Sequence, residues 1–172
     1  MKLLRTKMEE VLALFGEEGV AMLEQYDIHV CMATRGMFPA VEAYGEVGGV
    51  VLQINPETLE ILPKHGRELA LIIYPDAMVN ESKQIPEDAR ERFRRSYLVH
   101  ELTHVQQVLD GRLAIVEAGH MIWEGQHFNV TLQGYVEFPW EREAYLAQFK
   151  YIFEGDEELA ERGYKQIIAT AA

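Results

Sequence analysis

The sequence predicts an α+β fold in which a small sheet packs on one long helix and a further helical part follows. Three apolar runs have the length and the β-branched content of strands, and they cover residues 28–32, 49–54 and 69–74. Apolar residues then recur at helical spacing over about 24 residues that end near Leu109. Helical spacing returns after Pro139, which predicts the later helices.

Length and composition bound the class of protein. The chain has 172 residues, 48% of them hydrophobic, and we expect a single domain over 1–172. No apolar run is long enough to cross a bilayer, so we expect no membrane partner. The N-terminus lacks the apolar stretch of a signal peptide and the single Cys31 cannot form an internal disulfide, which favours a cytoplasmic protein. A formal net charge of −12 argues against a nucleic-acid partner, and the sequence leaves the oligomeric state open.

Two helical segments are predicted ahead of and between the first strands. Residues 2–15 form an amphipathic pattern that ends at Gly16, and a second short helical piece covers 18–25. Turns are predicted at 55–57 and 74–76, where a proline follows each of the later two strands. An edge strand of such a sheet can hold an extended peptide by strand addition.

The long helix is predicted to begin at Pro86, where acidic residues lie at the positive end of the helix dipole, and to stop at Asp110-Gly111. Arginines in its first part lie among acidic residues, a pattern typical of a solvated, ion-paired face rather than a binding patch. These arginines are Arg90, Arg92, Arg94 and Arg95.

The rest of the chain is predicted to contain a hairpin and two helices. The hairpin pairs 112–116 with 120–123 around 117–119, and a glycine turn follows within 123–128. Pro139 marks the start of the next helix, and one more helix covers 156–169.

The run His100-Glu101-Leu102-Thr103-His104 lies inside the long helix and has the H-E-x-x-H arrangement of zinc hydrolases. Residues four apart share a helix face, so both imidazoles can bind one ion about 2.0–2.1 Å away. Glu101 is turned away from the ligand axis, where its carboxylate can act as a base on a water molecule. The run therefore predicts His100 and His104 as ligands of Zn²⁺ and Glu101 as the catalytic base.

A catalytic zinc site needs a third protein ligand besides these two histidines. Glu141 and Glu143, at the start of the helix after Pro139, are about 200° apart around that helix, so they cannot both face one ion. We favour Glu141, because Tyr145 lies on the same face and its hydroxyl can support a ligand or the developing oxyanion. Glu143 stays the alternative ligand. A competing interpretation for both glutamates is that they only form an acidic first turn, where the helix dipole favours negative charge.

Other histidines and aromatic residues carry weaker signals. His120 and His127 lie between the two motifs, where they could line the cleft, but we interpret each as a surface or core histidine. His29 and His65 have no partner nearby in the sequence and are given no role. Aromatic residues near the second group of helices are interpreted as core or cleft wall rather than as catalysts: Trp123, Tyr135 and Trp140.

The two motifs together resemble the gluzincin metallopeptidases. His-Glu-Leu-Thr-His-Val-Gln-Gln at 100–107 is followed about 35 residues later by Pro-Trp-Glu-Arg-Glu-Ala-Tyr at 139–145. The gluzincins pair H-E-x-x-H with a glutamate on a later helix. The chain is similar in particular to small bacterial and phage-type metallopeptidases with a short H-E-L-x-H-x-x-Q domain, and the resemblance covers about residues 69–149.

This resemblance implies a zincin-like fold and a zinc-dependent peptidase acting on a peptide or protein substrate. It implies His100, His104 and Glu141 as ligands and Glu101 as the base. Tyr145 departs from the pattern, because many relatives have Asp or Asn at that position.

The alternative function is a metal-stabilised binding or assembly protein, such as a phage or host-interaction component, that keeps the zincin site without useful turnover. A metal-independent structural domain is the third interpretation. Glu101 favours the enzyme, since a structural zinc site gains nothing from a base beside the ion and usually closes its fourth position with protein.

Overall fold

The computed structural model describes residues 1–34, 37, 48–55, 57–58, 68–117, 120–130 and 134–171. These residues combine helices with β-strands, which confirms the α+β class. They divide into two compact units, Met1–Leu98 and Val99–Ala172. The expectation of a single domain over 1–172 stays a prediction.

A mixed sheet belongs to the first unit. Its strands are β1 (Lys2–Leu3), β2 (His29–Met32), β3 (Gly49–Ile54) and β4 (Glu68–Ile73), in the spatial order β1-β2-β4-β3. Strand β4 lies between β2, which is parallel to it, and β3, which is antiparallel. Its residues from Leu69 onward are all buried, as a continuous apolar run in a central strand requires. The strands predicted from the sequence agree with β2, β3 and β4 to within one residue at each end.

The first helix differs from its prediction. Residues Lys2–Leu3 form a strand, and helix α1 covers Met8–Glu24. The predicted helix end at Gly16 is instead a kink inside α1, where Gly16 has φ 69° and ψ −176°. A strand of two residues is too short to show the alternation of apolar and polar residues that marks a strand. Its apolar residue, Leu3, therefore fitted the helical pattern predicted for 2–15.

Two arginines donate hydrogen bonds to the backbone just before this kink. Arg94 donates from Nε to the carbonyl oxygen of Leu14 at 2.7 Å, and Arg95 donates from Nη1 to that of Phe15 at 3.2 Å. Arg95 also forms an ion pair with Glu18. Carbonyls that a kink deprives of helical partners are thus satisfied by charged donors. Arg95 thus shows the ion pairing expected for the arginine cluster, and Arg94 and Arg95 also brace the backbone.

Helix α2 (Pro75–Ser82) occupies the place where the sequence predicts a turn at 74–76. Pro75 is its first residue, and proline suits a helix start because its missing N–H would have no helical partner there. Helix α3 (Glu87–Leu109) follows and carries the H-E-x-x-H run. It begins directly after Pro86 and ends before Asp110-Gly111, close to the predicted limits.

An antiparallel sheet belongs to the second unit and contains β5 (Leu113–Glu117), β6 (His120–Trp123) and β7 (Gln126–Asn129). The pairing of β5 with β6 confirms the predicted hairpin strands, while residues 118–119 of its turn lie outside the described residues. The sequence prediction missed β7, which is largely exposed and lacks apolar alternation. The signal for it is the two-residue turn Glu124-Gly125, with φ values of 48° and 82° that suit a tight hairpin.

The chain continues through a 3₁₀ turn at Tyr135–Glu137 into helices α4 (Pro139–Ile152) and α5 (Glu157–Ala171). Both helices start within one residue of the predicted positions. The hydroxyl of Tyr164 on α5 donates to the carbonyl oxygen of Val136 at 2.9 Å, which fastens α5 to the 3₁₀ turn. Within the described ranges, no helix combines the length and apolar character needed to cross a membrane.

We expect Gly16→Ala to lower the free energy of unfolding by about 1–3 kcal/mol, because the kink conformation is strained for residues other than glycine. The added Cβ would also lie 2.5 Å from a carboxylate oxygen of Glu91. Urea unfolding followed by circular dichroism measures the change. Glu17→Ala, at an exposed neighbouring position, is the control and should change stability by no more than about 0.5 kcal/mol. Equal stability of the two variants would show that the fold does not need this kink.

Candidate metal centre

Three side chains with ligand atoms meet in the second unit. His100 and His104 come from successive turns of α3, and Glu141 comes from the first turn of α4. Their exposed fractions are 8%, 7% and 2%. Within the described part of the chain, they are the one group of three His, Cys, Asp or Glu residues whose ligand atoms all lie within 4.8 Å of one another. We call these three residues the triad.

The distances within the triad suit a small metal ion. The Nε2 atoms of His100 and His104 are 3.2 Å apart, and each lies 3.4 Å from an oxygen of Glu141. Ligand atoms about 2.0–2.1 Å from a tetrahedral ion are about 3.3 Å from one another. Two imidazoles and one carboxylate are also a donor set that catalytic zinc sites use. The residues present therefore fit a zinc ion with one position left for a water or a substrate.

Glu141 is buried because the residue before it, Trp140, belongs to a packed aromatic cluster. The ring of Trp140 stacks on the ring of Phe138 with 4.7 Å between ring centroids. The ring of Trp123 lies 6.2 Å from the ring of Trp140, also measured between centroids. Leu113 and Val130 join this buried cluster. The cluster fixes the first turn of α4, and Glu141 is the third residue of that helix, where the helix dipole favours a negative charge.

The charges of the triad support one another. Burial alone would raise the pKa of Glu141, but the positive charge of His104 and hydrogen bonds from both histidines hold that pKa well below its usual value. Burial alone would likewise lower the pKa of His104, and the Glu141 carboxylate instead raises that pKa to about 9. Glu141 is therefore ionised at neutral pH, which is the state in which a carboxylate binds a cation.

Glu101 follows the first histidine of the triad and is itself buried. No hydrogen bond or ion pair joins its carboxylate to another residue of the described ranges. Burial raises the pKa of Glu101, His100 and His104 oppose that rise, and Glu141 adds to it. A buried carboxylate with a raised pKa and no hydrogen-bond partner among the described residues can accept and release a proton, as a general base must.

The alternative ligand, Glu143, binds an arginine. Its two carboxylate oxygens accept hydrogen bonds from Arg112 at 2.9 and 2.7 Å. These bonds lower the pKa of Glu143. Arg112 is held in turn by packing over the ring of Trp123, 4.5 Å from its centroid. The structure thus places Glu141 with the histidines and Glu143 with Arg112.

Two tyrosines contact the triad. The ring of Tyr145 packs edge-on against the imidazole of His100, with 4.5 Å between centroids. Burial, together with the negative charge of nearby Glu141, raises the pKa of Tyr135. The sequence predicts Tyr135 only as core or cleft wall, because no spacing rule links a 3₁₀ turn to a side chain on the next helix.

A glutamine adds the remaining polar contacts. Nδ1 of His104 donates to Oε1 of Gln107 at 2.9 Å, and Nε2 of Gln107 donates to the carbonyl oxygen of Trp140 at 3.0 Å. Gln107 is the last residue of the H-E-L-x-H-x-x-Q pattern, and the sequence alone predicts no role for it. Its position three residues after His104, on the same helix face, is the signal that points to it.

The other histidines are not members of the triad. His120 and His127 contact each other on β6 and β7, with Nε2 and Nδ1 3.0 Å apart at an exposed position. His29 on β2 pairs with Glu68 on β4. His65 lies outside the described residues.

Comparisons with known protein families, with curated proteins and with solved structures find no match to this chain. The resemblance to gluzincins therefore stays a prediction from two motifs. What the site can do has to be argued from its own geometry.

We expect Glu141→Gln to weaken zinc binding by more than about 100-fold, since a neutral amide replaces the charged oxygen donor of the triad. Glu143→Gln is the matched control two residues away. It should weaken zinc binding by less than about tenfold and cost at most about 1 kcal/mol of stability, as expected for a partly exposed ion pair. Titration of the metal-free proteins with zinc against a competing chelator measures both. A larger loss in the Glu143 variant would reverse the assignment.

Proposed function

We propose that this chain is a zinc-dependent peptidase of the gluzincin type, with a zincin-like fold, that hydrolyses bonds in peptide or protein substrates. The observation that carries the proposal is the buried triad of His100, His104 and Glu141, with the buried Glu101 carboxylate next to it and without a hydrogen-bond partner among the described residues. Zinc held by the triad would supply a Lewis acid and lower the pKa of water toward about 7.

The side chains around the triad have distinct roles in this proposal. Glu101 takes a proton from the attacking water and later gives it to the leaving amine. Tyr145 packs on His100 and limits the movement of that imidazole, and its hydroxyl stabilises the negative charge that develops on the scissile carbonyl. The hydroxyl of Tyr135, whose pKa the nearby Glu141 charge raises, helps to keep that carboxylate oriented.

The state of Glu101 supports an enzyme over a purely structural metal site. Burying a carboxylate costs free energy unless a bond within the protein compensates for it. Glu141 is compensated by hydrogen bonds and charge from two histidines, whereas Glu101 has the attraction of their charges but no hydrogen bond within the described ranges. A site that served only stability would gain by losing the Glu101 charge.

We expect Glu101→Gln to keep its zinc while peptide hydrolysis falls by about 100- to 10,000-fold, because an amide of the same shape cannot accept the proton. A digest of a broad peptide library with product detection by mass spectrometry measures hydrolysis, and metal analysis after dialysis measures zinc. Glu91→Gln, on the same helix and outside the triad, is the control and should match the wild type in both measurements.

The same experiment separates the peptidase from its alternative. A wild-type protein that holds one zinc per chain and cleaves nothing in the library would favour a metal-stabilised binding or assembly protein. Equal hydrolysis by the wild type and the Glu101 variant would remove Glu101 from the mechanism.

A further inference from the structure

Gln107 is one of the most deeply buried polar side chains, with an exposed fraction of 1%. Its amide has one acceptor oxygen and two N–H donors. The oxygen accepts from Nδ1 of His104 at 2.9 Å, and the nitrogen donates to the carbonyl oxygen of Trp140 at 3.0 Å. The oxygen and the nitrogen of the amide therefore each have a partner.

The partners fix which way the amide points. A carbonyl oxygen can only accept hydrogen bonds, so the nitrogen of Gln107 must lie on the side of the Trp140 carbonyl. The oxygen then lies on the side of His104 and requires a proton on Nδ1. Nδ1 of His104 is consequently occupied by this bond, and Nε2 is the nitrogen left for the other members of the triad.

The same amide acts on the second ligand-bearing helix. The Trp140 carbonyl belongs to the peptide group that joins Trp140 to Glu141, so a bond to that oxygen fixes the backbone from which the Glu141 side chain leaves. Gln107 on α3 thus holds the start of α4. His100 has no equivalent support, because its Nδ1 has no hydrogen-bond partner among the described residues.

We propose that Gln107 is a positioning residue of the metal centre: it sets Nε2 of His104 toward the triad and holds Glu141 at ligand distance from it. This inference rests on the metal site of the proposed function and not on its peptidase activity. The positioning role requires a side-chain amide at residue 107, since Nδ1 of His104 needs an acceptor and the Trp140 carbonyl needs a donor. Loss of such an outer partner typically weakens metal binding by about 10–100-fold.

The test uses Gln107→Met, which keeps a long unbranched side chain and removes the amide. The control is Gln106→Met, the same substitution one residue earlier at an exposed position whose amide bonds Asp110 at 2.7 Å. Zinc affinity, measured by competition with a chelator, should fall by about 10–100-fold in the first variant and stay within about threefold of the wild type in the second. Equal affinities of wild type and Gln107→Met would overturn the proposal.

A second measurement separates positioning from a general loss of structure. Nitrogen-15 NMR of the zinc-loaded wild type should show His104 bound through Nε2 with a slowly exchanging proton on Nδ1. In Gln107→Met, that Nδ1 proton should exchange faster, while the resonances of β5 and β6 stay unchanged. Zinc on Nδ1 of His104 in the wild type would overturn the proposal without any variant, even if Gln107→Met does not fold.

The outcomes distinguish this inference from the proposed function. Weakened zinc binding in Gln107→Met together with a wild type that cleaves no peptide would support the positioning role and contradict the peptidase. Peptide hydrolysis by the wild type, together with equal zinc affinities of the wild type and Gln107→Met, would support the peptidase and contradict the positioning role. A wild type that binds no zinc would overturn both.

Discussion

The site-bearing part of the chain depends on one buried negative charge. Glu141 is almost entirely enclosed, and an isolated carboxylate in such a place would take up a proton rather than stay ionised. Two histidines from α3 make the ionised form the stable one. The histidines of α3 and the start of α4 must therefore be in place together before the charge is tolerated, which couples formation of the site to the local fold.

Much of the fold could be predicted from the sequence where the pattern is long or strongly apolar. The central strand β4 and the long helix α3 each follow a single period for their whole length, so their limits agree closely with prediction. The errors lie where patterns are short or ambiguous. Strand β1 has two residues, Pro75 suits a turn as well as a helix start, and β7 is marked only by its turn.

The candidate site was predictable only in part. His100, Glu101 and His104 follow from the geometry of one helical turn, which the local sequence determines. The choice of Glu141 over Glu143 depends on Arg112 and Trp123, which lie in another element and bind the competing carboxylate. The roles inferred for Tyr135 and Gln107 depend on contacts between elements, and such contacts leave no periodic trace in a sequence.

The aromatic cluster at the start of α4 has a consequence for observing the molecule. The chain contains two tryptophans, Trp123 and Trp140, and both belong to that cluster. Trp140 immediately precedes Glu141, and its carbonyl accepts the bond from Gln107. Intrinsic tryptophan fluorescence of this chain therefore originates only from the aromatic cluster next to the triad. An optical signal that is global in most proteins is here a local probe, and it reports on the order of the metal centre without any label.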